Sequence, residues 1–243
     1  NKYSGFASKG VMGASKLLSS YPKFSRYLRM MSLPLKERFW GQRRCFWLDQ
    51  VQPYFTDDFK NTIKDDYLRD MIDGYYKKVE GKSLLNQLLY IDTKTWLPDD
   101  ILAKSDKMSM ANSIELRVPF LDYRLVEKAA SIPAALKIKN NQSKYILKKI
   151  AGGILPNDII HRKKMGFPVP LKILFQTQLN EYIREILLGT ASKNRGVLNP
   201  AMLGNVIDQH TKGQHDHSLL ILTCMVFELW AQTFIDGDTM SSL

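Results

Sequence analysis

Apolar residues recur along this chain mostly in three- and four-residue steps, so the elements they predict are helices. Leu17, Leu18 and Tyr21, then Phe24, Tyr27, Leu28 and Met31, give two short helical patches broken by Gly10, Gly13 and Pro22. Residues Pro34 to Trp47 repeat the pattern, with Leu35, Phe39 and Cys45 or Phe46 on one side and Lys36, Arg38, Arg43 and Arg44 on the other. A loop with Pro53 follows, and Thr56-Asp57-Asp58 reads as an N-cap. One helix is then predicted from Phe59 to Glu80, carried by Phe59, Ile63, Tyr67 or Leu68, and Met71, with Gly74 and Gly81 punctuating its end. Leu84 to Ile91 is strongly apolar and helical, and leads into the middle of the chain.

Beyond the middle, Val126 to Ile132 predicts a helix stopped by Pro133. Asn140-Asn141 marks a turn, and Lys144 to Ile150 a helix ended by Gly152-Gly153, with Tyr145 and Ile146 inward. Pro156-Asn157-Asp158 begins another helix. Leu171 to Leu188 reads as a single amphipathic helix, Gly189 to Arg195 as a polar link, and Asn199-Pro200 as the start of a helix reaching about His210. Lys212 to Asp216 is a turn, Ser218 to Phe234 a heavily buried helix, and the tail DGDTMSSL a frayed end. Alternating strand patterns, repeats and heptads are absent, so the fold class expected is mainly α.

The stretch Trp96 to Asp122, WLPDDILAKSDKMSMANSIELRVPFLD, has the densest chemistry. Pro98 can precede a first turn that Asp99 or Asp100 caps. Asp100, Lys104 and Lys107 follow three- and four-residue steps and share a helix face, with Met108, Ala111 and Ile114 on another. Val118-Pro119-Phe120-Leu121 is expected to end the helix and enter a core. Two readings of the polar face stay open. It is a solvated surface with Glu115 and Arg117 as a structural ion pair. Or it lines an anion pocket in which Lys104 answers phosphate and Asp100 holds a bridging cation or a second basic group.

Charge and composition narrow the classes. The chain has 243 residues, 44% hydrophobic, with a formal net charge of +11. That length holds one large domain or two small ones. The apolar run Leu219 to Val226 is far short of a membrane span, and the first residues carry no secretory signal. Lysines are scattered rather than gathered on one face, and no RNA-reading motif stands among them, so polyanionic small molecules fit the charge better than nucleic acid. The mixture of arginine and aromatic residues before Trp47 could stack on bases, but equally makes an amphipathic helix with Arg stems along its apolar side. Cys45 and Cys224 are far apart and read as reduced, packed thiols, a disulfide remaining the alternative. His210, His215, Asp216 and His217 fit no zinc spacing, and no metal ligands are assigned. The loop His161 to Pro170 places Arg162, Lys163 and Lys164 before Gly166 and two prolines, which makes it a stiff support for cations. Basic triplets in loops are also commonly just solvated.

LPDDILAKSDKMSMANSIELRVPFLD, and again KYILKKIAGGILPNDIIHRKKMGFPVP from Lys144 to Pro170, closely resemble the synthetase half of the glutamine-hydrolysing asparagine synthetases. A less specific likeness continues in the helix around HDHSLLILTCMVFELW. The resemblance implies that residues 1–243 are the helical C-terminal portion of an α/β synthetase domain of the PP-loop ATP pyrophosphatase type, related to the adenine nucleotide α-hydrolases. In that family aspartate's side chain attacks the α-phosphate of ATP. β-Aspartyl-AMP and pyrophosphate form, and ammonia released from glutamine then displaces AMP. ATP and Mg²⁺ are implied for the full-length enzyme, and aspartate, ATP and glutamine-derived ammonia as its substrates. The Ser-Gly-Gly-x-Asp-Ser loop, the acidic Gly-rich loop and the nucleophilic cysteine of the family do not occur in this sequence. They are expected upstream, in a missing N-terminal half of the same chain, and the segment by itself is expected to be inactive.

Residue by residue, the resemblance implies that Lys164 is catalytic, stabilising charge on the reacting phosphate and pyrophosphate. Asp100, Lys104 and Lys163 are implied at the nucleotide and pyrophosphate, with Lys163 the nearest rival to Lys164. Asp106, Glu115 and Arg117 match the family pattern and are read as structural. A cytoplasmic enzyme without membrane contact is expected, with a homodimer left open. Two other functions remain: a β-lactam or peptide-cyclising relative, or another amidotransferase, acting on a different carboxylate; and a basic, non-catalytic helical interaction module.

Overall fold

The computed structural model describes residues 33–40, 46, 48–64, 66–166 and 169–237. The expected helical patches before Leu35, the residue Cys45 and the tail beyond Gly237 lie outside the described residues. The chain divides into two compact units. One comprises Asn1–Arg44 and Asp65–Lys163, the other Cys45–Lys64 and Lys164–Leu243.

Both units are helical, as the three- and four-residue apolar steps require. In the first, the helices Asp66–Lys78 and Leu84–Lys94 pack around Ile72, Tyr76 and Ile91, with Leu35, Phe39 and Trp40 against them. The Tyr76 hydroxyl donates to the Phe39 carbonyl at 3.0 Å, and burial pushes the phenol up to about 12. Ser83 caps the Leu84 helix by accepting from the Asn86 N–H. Gly81, at φ 76°, makes the left-handed turn between the two helices, whereas Gly74 lies inside the first of them rather than at its end.

After the middle of the chain come the helices Tyr123–Ser131, Ala134–Lys137, Tyr145–Ala151 and Asn157–His161. Asp122 caps the Tyr123 helix, and Arg124 holds its carboxyl below the usual range. The Asn140-Asn141 turn joins two-residue strands, Ile138–Lys139 and Gln142–Ser143, paired antiparallel. Both asparagines have positive φ, 49° and 59°, as the tightest hairpins need. Lys137 reaches back from this region to the Asn86 side chain at 2.7 Å.

The expected entry of Val118 to Leu121 into a core is not what the structure shows. Phe120 is 71% exposed and Val118 42%, and none of the residues of the helices Tyr123–Ser131, Ala134–Lys137 and Tyr145–Ala151 is buried. Ile150 and Ile154 are likewise 61% and 76% exposed. The sequence pattern marks a face that wants cover, but within the described residues nothing supplies it.

The second unit has the larger core. Phe175, Ile183, Leu187, Leu203, Ile207 and Ile221 are almost wholly buried at its centre. The predicted single helix Leu171 to Leu188 is two, Leu171–Gln176 and Asn180–Leu188, because Thr177 leaves helical geometry and the Asn180 amide donates to the Phe175 carbonyl instead. The predicted polar link is a short helix, Thr190–Arg195, ended by Gly196 at φ 68°. The helix expected from Phe59 is also divided: Asp57–Thr62 belongs here, while Asp66–Lys78 lies in the first unit. Leu48–Val51 and a 3₁₀ turn over Gln52–Tyr54 occupy what reads as loop. The Tyr54–Thr56 strip pairs with Val197–Asn199 through backbone bonds of 2.8 and 3.0 Å. Thr56 caps its helix as expected, accepting from the Phe59 N–H.

The helices Pro200–Thr211 and Ser218–Phe234 match expectation closely. Asn199 caps the former, accepting from Ala201 and Met202. Their junction is held by His210, which is fully buried: its Nδ1 accepts from the His217 N–H at 3.1 Å and its Nε2 faces the Lys172 carbonyl at 3.2 Å. Glu228 is also fully buried and receives both branches of the Arg195 guanidinium at 3.0 Å, while Asp236 pairs with the same Arg195. Cys224 is a buried thiol pushed up to about 12 by burial.

Candidate functional site

The candidate site lies in the first unit, where the chain changes helical pitch. After Leu84–Lys94, Thr95 leaves helical geometry and Trp96 opens a π turn over Leu97–Leu102, which passes directly into the α-helix Ala103–Met110. Pro98 lacks an N–H, so its place in the first turn breaks no bond. Asp99 or Asp100 was expected to cap this helix. Both lie inside the turn instead, and Trp96 precedes it with no side-chain cap.

The π turn sets the geometry of the acidic group. One Asp100 oxygen, Oδ2, accepts from the Trp96 indole N–H at 2.9 Å. The other, Oδ1, stands 3.2 Å from the Lys104 ammonium. Trp96 and Asp100 are half-buried, and Lys104 is exposed. So two of the sequence-predicted site residues, Asp100 and Lys104, are brought together, and they pair with each other. Trp96 is the participant that sequence reasoning missed. Its signal was the run of four-residue steps Trp96, Asp100, Lys104, in which only the charged members look chemical.

Further along, Asp106 and Lys107 are exposed on the helix. Glu115 and Arg117 form an ion pair of 2.7 Å with both side chains largely in solvent, which makes it worth under about 1 kcal/mol. Lys163 and Lys164 lie in the extended coil after Asn157–His161, both exposed. Lys163 ends the first unit, and Lys164 begins the second segment of the second unit. Of the residues expected to stiffen this loop, Gly166 and Pro170 are described, whereas Pro168, like Phe167, lies outside the described residues.

Metal chemistry has little to build on here. Among the described residues no group of three or more His, Cys, Asp or Glu is placed to hold a metal ion. The Asp100 carboxylate is already engaged by an indole N–H and an ammonium, a donor set that competes with a divalent cation. These residues therefore do not fit a magnesium site of their own. No helix among the described residues is long and apolar enough to cross a membrane.

The helix Ala103–Met110 offers an exposed lysine paired with a carboxylate, and the coil after Asn157–His161 carries exposed cations. Comparison with known proteins gives the family. The asparagine synthase family model matches residues 12–232, and this chain belongs to that family. It is 35% identical over 207 residues to asparagine synthetase [glutamine-hydrolyzing] 1 of Bacillus subtilis (strain 168), covering 85% of this chain and 32% of that protein. Asparagine synthetase [glutamine-hydrolyzing] 3 of the same organism is 32% identical over 159 residues, 65% of this chain and 24% of its own length. The chicken (Gallus gallus) asparagine synthetase [glutamine-hydrolyzing] is 35% identical over 91 residues, 36% of this chain and 15% of its own. The chain thus spans about a third, or less, of the length of these relatives. No solved structure matches it.

Proposed function

We propose that this chain is the C-terminal, mainly helical portion of an ATP-dependent, glutamine-hydrolysing asparagine synthetase with a PP-loop nucleotide site. The match to the asparagine synthase family over residues 12–232 carries the reading. In the intact enzyme, an oxygen of aspartate's side-chain carboxylate attacks the α-phosphorus of ATP. The bond to the β-phosphate breaks, pyrophosphate leaves, and β-aspartyl-AMP forms. Ammonia from glutamine adds to the acyl carbon, and AMP departs with asparagine as product. Mg²⁺ would arrive with ATP and offset phosphate charge.

This chain's own contribution is cationic. Lys164 stabilises the charge that grows on the reacting phosphate and on departing pyrophosphate. Lys163 and Lys104 bind the phosphate tail, and Asp100 braces Lys104. An ammonium on an exposed coil gains strength once the rest of the site excludes water around it. The uncovered apolar residues of the first unit, Phe120, Ile150 and Ile154 among them, suit a face covered by the N-terminal part of the same synthetase. A cytoplasmic location goes with this biosynthetic role.

The test is Lys164→Met in the intact synthetase. Loss of one preorganised charge-stabilising group is expected to lower kcat for pyrophosphate release about 10²- to 10³-fold, with glutamine hydrolysis retained. Release at the parent rate would overturn the assignment of Lys164.

A further inference from the structure

The hydrogen bond from Trp96 to Asp100 has no evident part in building the core of the first unit. Asp100 is only half-buried, its partner Lys104 is exposed, and a solvent-exposed pair of this kind adds little to stability. Yet three side chains four residues apart are linked along one helix face, as i,i+4 neighbours are, and the chain between them runs through a π turn. In a regular α-helix, at 3.6 residues per turn, residues eight apart overshoot two full turns. The wider π turn over Leu97–Leu102 takes up part of that excess, and Asp100 within it bonds Trp96 through one oxygen and Lys104 through the other. π turns inside helices recur at functional sites.

We propose that Trp96 and Asp100 are positioning residues for Lys104. The indole N–H fixes the carboxylate, and the carboxylate aims the Lys104 ammonium at the phosphates of ATP. This rests on the reading of the chain as part of an ATP-dependent synthetase. A free lysine side chain has four rotatable bonds and loses that freedom when it binds an anion. Bracing the ammonium beforehand removes part of that loss, so the relay acts on nucleotide affinity rather than on aspartate or on glutamine hydrolysis. Asp100 in this role is a brace and not a metal ligand.

The experiment is a mutant cycle in the intact synthetase, read as separate KM values for ATP and aspartate. Trp96→Phe keeps the ring and deletes the donor; Asp100→Asn keeps the shape and deletes the charge; Lys104→Met deletes the ammonium. Trp96→Phe and Asp100→Asn are each expected to raise KM for ATP about three- to tenfold, leaving KM for aspartate within about twofold. In a Lys104→Met background neither is expected to add anything, because both act through that ammonium. Undiminished effects in the Lys104→Met background would overturn the relay, as would an unchanged KM for ATP in Trp96→Phe. Should Trp96→Phe fail to fold, Asp100→Asn alone completes the cycle with Lys104→Met. If Lys104→Met leaves KM for ATP unchanged while pyrophosphate release persists, the assignment of Lys104 to the phosphates fails, and the relay fails with it; that result is distinct from loss of the synthetase reading, in which no aspartate-dependent release occurs at all.

Discussion

Glu228 is fully buried within the helix Ser218–Phe234 and accepts two hydrogen bonds from Arg195, which Asp236 pairs as well. The guanidinium is held further into its charged state by its bonds to Asp236 and Glu228. Taking Glu228 away leaves a mostly buried cation with half its partners. Glu228→Ala is therefore expected to cost about 3 kcal/mol in denaturant unfolding of the second unit, the lower end for a broken buried pair because Asp236 remains. A cost below about 0.5 kcal/mol would mean that water already reaches the guanidinium. Residues like these were not legible in the sequence. Arg195 reads as the end of a polar link, and Glu228 lies in a stretch that reads only as a heavily buried helix. The contact joins positions 33 apart, and no local period announces it. Asp100 and Lys104 were legible because their partnership is local.

At the level of elements, local signals worked where they were strong. Asn199-Pro200, Thr56 and the Asn140-Asn141 pair each placed an element end correctly, since capping and left-handed turns are decided by the residues present. Long amphipathic stretches misled: Leu171 to Leu188 and Phe59 to Glu80 keep a helical period across breaks at Thr177 and residues 63–64. Tertiary packing and a change of compact unit decide those breaks, not propensity. The corner between Pro200–Thr211 and Ser218–Phe234 yields a prediction of its own. Burial, with the charges of His215 and His210, holds the His217 imidazole below its ordinary value. A histidine depressed on folding takes up protons on unfolding. Its contribution to stability is thus full above the unfolded value of about 6.5 and falls as pH drops from there toward the lower folded value. Asp216 beside it is held low by its bonds to Ser218, and loses its contribution only at still more acid pH, below about 4. Melting temperature of the second unit is expected to decline from pH 6.5 downward, and His217→Asn to flatten the upper part of that decline. A stability curve rising between pH 6.5 and 5 would contradict the sign.

For the whole molecule, the mainly helical class was legible, and so was the family, from two long motifs that the family match over residues 12–232 bears out. What composition did not reveal is how much of the middle of the chain stays uncovered. Each unit has a core, the first around Ile72, Tyr76 and Ile91, yet Phe120, Ile150 and Ile154 of the first stand exposed. Apolar spacing shows which face of a helix wants to be covered, not what covers it. On the present account the cover is the nucleotide-binding part of the same synthetase. The most direct measurement is pyrophosphate release by this segment alone and by the segment joined to the N-terminal part of a glutamine-hydrolysing asparagine synthetase. The account predicts none from the segment alone, and release that requires both ATP and aspartate from the joined protein. Turnover by the isolated segment, or a folded joined protein that releases no pyrophosphate with aspartate, would contradict it.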